Sequence, residues 1–343
     1  IFPFAVTFAV ITLFFLNGIK TETQRQIVLE KVTRTIFVNA KYSTLFPYLE
    51  SNKCDYECIL SNSMAEADAV IWNIANGDLK LAPQVKNPGQ IWIVNNYFEA
   101  HTTKSVEQLN GRIDFTLSYN YKDTDFLERR VGMLPGKSET KMNLGAPNLV
   151  LWFVSNCEPN RLKFAKKLLH LGSSRINYYG KCFKENKMNC GEYGHNGFRQ
   201  DKECLKKVMR KHKFYLAFEN SKCRDYISEK IANAYAHGMI PIVNGGLHGR
   251  RDYERLFPAK SFIHIDDFRG DSKALYEYIT YLDKNQTAYA EFFDWQKRYK
   301  VIGAGYGPRV TMSLNQNELC RLCRSIHIND GSKKRPITFD LIK

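Results

Sequence analysis

Residues 214–246 read FYLAFENSKCRDYISEKIANAYAHGMIPIVNGG. Phe214–Phe218 is a short unbroken apolar run, the pattern of a strand buried on both faces of a parallel sheet. Residues 219–226 form a polar loop, and Ser228–His237 predicts a helix with Ile231, Ala234 and Tyr235 on its apolar stripe and Gly238 as its stop. A second apolar run, residues 239–243, follows as the next strand. In open α/β sheets, ligands gather where strand C-termini meet helix N-termini, so the polar corner 219–230 lies where a ligand belongs. Lys230 adds positive charge to the positive end of the helix dipole, an arrangement that a bound anion would reverse. Lys230 together with free backbone N–H groups is therefore a candidate diphosphate site; the competing reading is a solvated surface lysine.

Working outward, strand and helix keep alternating. LVLWFVSN (149–156) reads as a strand, and RLKFAKKLLHLG (161–172) as an amphipathic helix with Leu162, Ala165, Leu168 and Leu169 on one face; NYYG, MIPIVNG and SFIHI supply further strands. Upstream, TIFVNA, ADAVIWNI and GQIWIVNN repeat the buried-strand pattern. A chain of 343 residues is long enough for two such units. The expected fold class is α/β, two Rossmann-like domains facing across a cleft: 35–132 as the N-terminal unit, which the family resemblance described below makes the acceptor side, 133–148 (MLPGKSETKMNLGAPN) as linker, 149–330 as the C-terminal nucleotide-binding unit and 331–343 as tail.

Residues 1–19, IFPFAVTFAVITLFFLNGI, carry no charge and are long enough to cross most of a bilayer core. No small-x-small cleavage pattern follows, so this run reads as a retained transmembrane signal anchor, with 20–34 as a short stem and the rest lumenal or extracellular. Nine cysteines agree with an oxidising compartment, and an odd number leaves at least one outside the intrachain disulfides. The Cys320-x-x-Cys323 pair lacks the second half of a zinc site and reads better as disulfide-forming. Asn285-Gln-Thr287 is an N-glycosylation sequon. A formal net charge of +15 favours anionic partners. The anchor and the cysteines argue against a nuclear or cytosolic nucleic-acid binder.

The corner also resembles a known signature. KFYLAFENSKCRDYISEKIANAYAHGMIPIVNGG is similar to the donor-binding motif of the Golgi α-1,3-fucosyltransferases, and the likeness runs on through DYERLFPAKSFIHIDDF, YLDKNQTAYAEFFDW and the late C-x-x-C. That resemblance implies a GT-B glycosyltransferase transferring fucose, with inversion, from GDP-β-L-fucose to a GlcNAc residue of a glycoprotein or glycolipid glycan. It implies a single-pass type II protein of the Golgi membrane with its catalytic part in the lumen. By motif match, Asn220, Tyr226, Glu229 and Lys230 would contact the donor, and Arg161 of SNCEPNR would bind the diphosphate. Cations at the phosphates stabilise the departing GDP without a metal, so no cofactor is required, a divalent cation such as Mn being expected to stimulate at most.

The acceptor hydroxyl needs a base, and NNYFEAHTTKS places Glu99, with His101 as the alternative, just after a buried strand. The simpler readings make Glu99 a solvated carboxylate, Arg161 a helix-opening surface residue, Asn220 and Tyr226 loop organisers, Glu229 a dipole partner, and Asp266 and Asp267 of IDDF a helix cap. In the first half the pattern departs from the family: Asn120, Tyr121 and Lys122 stand where the family has an arginine pair, Pro-Tyr is missing before Gly132, and E-S-P has become Glu99-Ala100-His101. The second reading is accordingly a non-catalytic lumenal relative that binds a GDP-sugar or a glycan.

Overall fold

The computed structural model describes residues 33–39, 54–73, 86–96, 111–119, 124–127, 131–172, 174–183, 186, 202–223, 225–246, 248–303 and 316–328. The apolar run 1–19, the stem up to 32 and the tail 331–343 lie outside them. Among the described residues no helix is long and apolar enough to cross a membrane.

Six parallel strands form the first sheet: β1 (Arg34–Asn39), β2 (Cys58–Leu60), β3 (Ala69–Asn73), β4 (Ile91–Asn96), β5 (Phe115–Ser118) and β6 (Phe126–Leu127), in the order β2-β1-β3-β4-β5-β6. Ile71 and Ile93 pack on one face, and Val70, Trp72, Trp92 and Val94 on the other. Burial on both faces is why these strands read as continuous apolar runs rather than alternating ones. Next comes β7 (Gly132–Pro135), all but its first residue in the stretch expected to be a linker. It pairs antiparallel with a strand far along the chain, and Gly136, at φ +135°, turns the backbone out of the ribbon.

The second sheet is built from β8 (Asn148–Phe153), α1 (Pro159–Leu171), β9 (Ile176–Tyr179), α2 (Lys202–Arg210), β10 (His212–Phe218), α3 (Glu229–Ala236), β11 (Ile240–Asn244), α4 (Arg250–Glu254) and β12 (Ile263–His264). Its five parallel strands lie in the order β12-β11-β10-β8-β9. Read from β9, this is the doubly wound order in which the first two strands swap places, and its crevice opens between β8 and β10. Alternate residues of β10 face opposite cores. Phe214, Leu216 and Phe218 meet Leu168 and Leu169 of α1 and Leu275, Ile279 and Leu282 of α5 (Ser272–Lys284). Tyr215 and Ala217 meet Ile231, Ala234 and Tyr235 of α3, with Leu205 and Met209 of α2. A strand clamped in this way cannot shift, and the loop at its end starts from a fixed point.

Gly238 ends α3 with φ +73°, and a Cβ there would lie 2.0 Å from the Lys141 carbonyl oxygen. The sequence reads it as a helix stop, and both the left-handed backbone and the close approach require glycine. The IDDF segment forms a short 3-10 turn, Ile265–Phe268, where Asp267 and His264 make a reciprocal capping box. After α6 (Gln286–Glu291), capped by the Asn285 side chain through Ala288 N–H at 3.0 Å, β13 (Tyr299–Ile302) pairs with β7.

The last described helix, α7 (Gln316–Ile328), returns to the first sheet: Leu319, Leu322 and Ile326 pack against Ile36, Ile71 and Phe126. Disulfides Cys54–Cys320 and Cys58–Cys323 fasten it there. The C-x-x-C pair thus makes two bonds to two partners, and a third disulfide joins Cys157 to Cys182. The Cys58–Cys323 bridge spans 265 residues of chain, a loop whose closure strongly restricts the unfolded state. Replacing both Cys58 and Cys323 with serine is expected to cost about 2–4 kcal/mol, measured as a lower chemical-denaturation midpoint under non-reducing conditions. A midpoint equal to wild type would show that helix packing and the remaining Cys54–Cys320 bridge suffice to retain α7.

Candidate donor-side site

The loop after β10 is anchored by its first residue. Glu219 is only 4 % exposed, so its carboxylate must be satisfied by partners within the protein. Its partners come from the start of α3: one oxygen accepts the Ser228 N–H at 2.8 Å, the other accepts the Ser228 hydroxyl at 2.8 Å and the Lys230 ammonium at 2.7 Å. Lys230 also donates to the Ser228 hydroxyl oxygen at 2.6 Å. Burial works against the Lys230 charge, but the attraction of Glu219 and Glu229 prevails over it and over nearby Arg161, so the pKa lies above the ordinary lysine value. The expected free N–H at this helix start is therefore corrected in part. Glu219 occupies the Ser228 N–H and supplies the negative charge that the helix dipole and Lys230 both favour.

Arg161 reaches the same corner from α1. Pro159 begins that helix, and the Glu158 side chain caps it, accepting the N–H groups of Asn160 and Arg161 at 3.1 and 3.0 Å. Far from being a surface residue, Arg161 is 4 % exposed; Nη1 donates to the Phe218 carbonyl at 2.9 Å and Nη2 to that of Asn156. The two cations singled out in the sequence are thus held by the adjacent residues Phe218 and Glu219, at the C-terminal end of β10. That is the β8/β10 crevice, where this strand order places ligands.

The other candidates fall around them. Asn220 is half-buried, next to Glu219; Glu229 opens α3 and is half-buried beside Lys230. Tyr226 is buried, and its ring lies 5.1 Å from that of Tyr119, which follows β5 of the first sheet. Carboxyl ends of strands from both sheets therefore meet at this corner. Glu99 and His101 lie outside the described residues, as do Asn120, Tyr121 and Lys122. Asn285 uses its amide as the α6 cap and donates to the Tyr281 hydroxyl at 3.0 Å. Glu219 and Ser228 carried no role in the sequence reading, because a carboxylate in a polar loop gives no sign of its partner until the chain folds back by nine residues. Two pinned cations at a water-poor strand end can hold an anion and stabilise negative charge as it develops there.

Residues 145–339 match the family model described as glycosyltransferase family 10 (fucosyltransferase), C-terminal part. The chain is 34% identical over 246 residues to the gorilla (Gorilla gorilla gorilla) 4-galactosyl-N-acetylglucosaminide 3-alpha-L-fucosyltransferase FUT5, covering 69% of this chain and 61% of that protein. It is also 34% identical over 237 residues to the cattle (Bos taurus) 4-galactosyl-N-acetylglucosaminide 3-alpha-L-fucosyltransferase 9, covering 68% and 59%. The matched region thus spans about three fifths of the length of these curated relatives. A solved α-1,3-fucosyltransferase with GDP-fucose superposes with a TM-score of 0.55 at 17% identity, covering 87% of this chain and 91% of that one, which supports the same fold.

Proposed function

The chain belongs to glycosyltransferase family 10, the fucosyltransferases, and on that premise we propose that it is an inverting α-1,3-fucosyltransferase of GT-B type. The donor is GDP-β-L-fucose and the acceptor a GlcNAc residue of a glycoprotein or glycolipid glycan. In the reaction the acceptor oxygen bonds to the fucose anomeric carbon from one face while the bond to the GDP β-phosphate oxygen breaks on the other. The acceptor proton passes to Glu99, or to His101 as the alternative base, and the electron pair leaves with GDP. Arg161 and Lys230 stabilise the charge that builds on the leaving diphosphate, a contribution made only as the bond breaks and therefore one that raises kcat. Asn220, Tyr226 and Glu229 bind the donor around them.

The single observation that carries this reading is the placement of Arg161 and Lys230 on consecutive residues of one strand end, within a family that transfers fucose. Residues 1–19 would anchor the protein as a single-pass type II protein of the Golgi membrane, with Asn285 glycosylated in the lumen. No cofactor enters the scheme, and a divalent cation such as Mn would at most stimulate. The purified lumenal part, given GDP-fucose and a panel of GlcNAc-containing acceptors, is expected to yield a fucosylated product that mass spectrometry and linkage analysis identify as α-1,3. GDP binding by calorimetry with no transfer to any acceptor would instead favour a non-catalytic GDP-sugar-binding relative.

A further inference from the structure

The Glu219 carboxylate is buried, and its hydrogen bonds all go to Ser228 and Lys230 at the start of α3. An ammonium has three N–H bonds. Lys230 directs one to Glu219 and one to Ser228, and the fixed positions of those two partners set the direction of the third. We propose that Glu219 is a positioning residue of the diphosphate site, which, with Ser228, aims Lys230 at the leaving phosphate of a nucleoside-diphosphate sugar. This rests on the donor-side reading above, and adds to it the group on which the cation depends.

Gly245, just past β11, supplies independent support. A Cβ there would stand 2.6 Å from Glu219 Cγ and 2.7 Å from the Tyr253 hydroxyl, so the bare backbone is what lets the carboxylate lie where it does. The groups facing the pair are Glu229 on the same helix, Arg161 from α1 and Tyr253 from α4. With Glu219 neutralised, burial and Arg161 still oppose the ammonium while its strongest support is gone. The Lys230 charge, secure above the ordinary lysine range in the native protein, would then be lost at lower pH.

The experiment measures GDP affinity by calorimetry near neutrality and at about pH 9.5, together with the rate at which an amine-directed reagent labels Lys230, read by mass spectrometry. Compared with wild type, Glu219→Gln is expected to bind GDP about tenfold more weakly at neutral pH and a further tenfold or so at alkaline pH, with faster Lys230 labelling. Gly245→Ala keeps both charges and should shift all three readouts the same way by a smaller amount. A merely structural role would weaken Glu219→Gln equally at both pH values, and that result, or undiminished affinity, overturns the proposal. Should Glu219→Gln show no cooperative melt, Gly245→Ala decides: wild-type affinity and labelling there overturn it. If the wild-type protein binds no GDP, the fucosyltransferase reading fails, while the labelling comparison still tests whether Glu219 holds Lys230.

Discussion

Replacing Lys230 with methionine is expected to lower kcat/KM for fucosyl transfer by about 10²–10³-fold, the loss usual for one preorganised charge-stabilising donor. Methionine keeps the length and apolar stem of lysine, so the change isolates the ammonium. It also leaves the Glu219 carboxylate buried without its cation, and breaking a buried pair from one side costs about 3–5 kcal/mol. Activity and stability would then fall together, and a low rate alone would not show what Lys230 does. The double variant Lys230→Met, Glu219→Gln separates them. Removing the second charge should restore most of the thermal midpoint, because no uncompensated carboxylate remains, yet transfer should stay at the level of the single variant. Initial rates and thermal melts on the three proteins check this. Recovery of rate along with stability would mean that Lys230 serves the fold and not the leaving group. The pH behaviour follows the same pair. A lysine whose pKa is raised by folding contributes its full stabilisation below the ordinary value of about 10.5, and loses it only as pH rises through the raised one.

Much of the second sheet was legible because its strands are buried on both faces. A segment such as FYLAF has no polar position to confuse the pattern, and Gly238 marks the helix end for a steric reason that survives in the sequence. Arg161 and Lys230 were legible as positive charges at predicted helix starts. Their holders were not. The Phe218 carbonyl that fixes Arg161 is a main-chain atom with no residue signature, and Glu219 becomes the partner of Ser228 and Lys230 only after the loop closes. Long-range pairing was hidden for a different reason. The β7–β13 ribbon joins two strands of four residues each, too short to show a period. The return of α7 to the first sheet depends on matching one amphipathic face with residues of distant strands, and two cysteines with partners 266 and 265 positions away. Composition announces the cysteines and spacing shows the helix, but neither states which surface they cover.

Glu99→Gln is expected to reduce kcat by about 10²–10⁴-fold, the range for loss of a general base, while leaving GDP affinity near wild type. The residue lies outside those described, but the strand that leads to it does not. β4 ends at Asn96, which pairs in register with Ser118 of β5, and the residue after β5, Tyr119, meets Tyr226 of the donor side. β4 therefore ends level with the C-terminal end of β5, next to the tyrosine that meets the donor side. In the proposed inverting reaction the base takes the proton of an acceptor hydroxyl that attacks opposite the departing GDP. Glutamine keeps the shape and the hydrogen-bonding capacity of the side chain but cannot accept a proton at useful pH. The acidic limb of the wild-type pH–rate profile should accordingly disappear in the variant, because the carboxylate whose protonation causes it has gone. His101→Ala supplies the contrast. If Glu99 is the base, this change should leave an acidic limb in place and cost far less in kcat. If turnover survives in Glu99→Gln and collapses in His101→Ala, the proton goes to the imidazole, and the limb should then sit at the higher pH at which a histidine titrates.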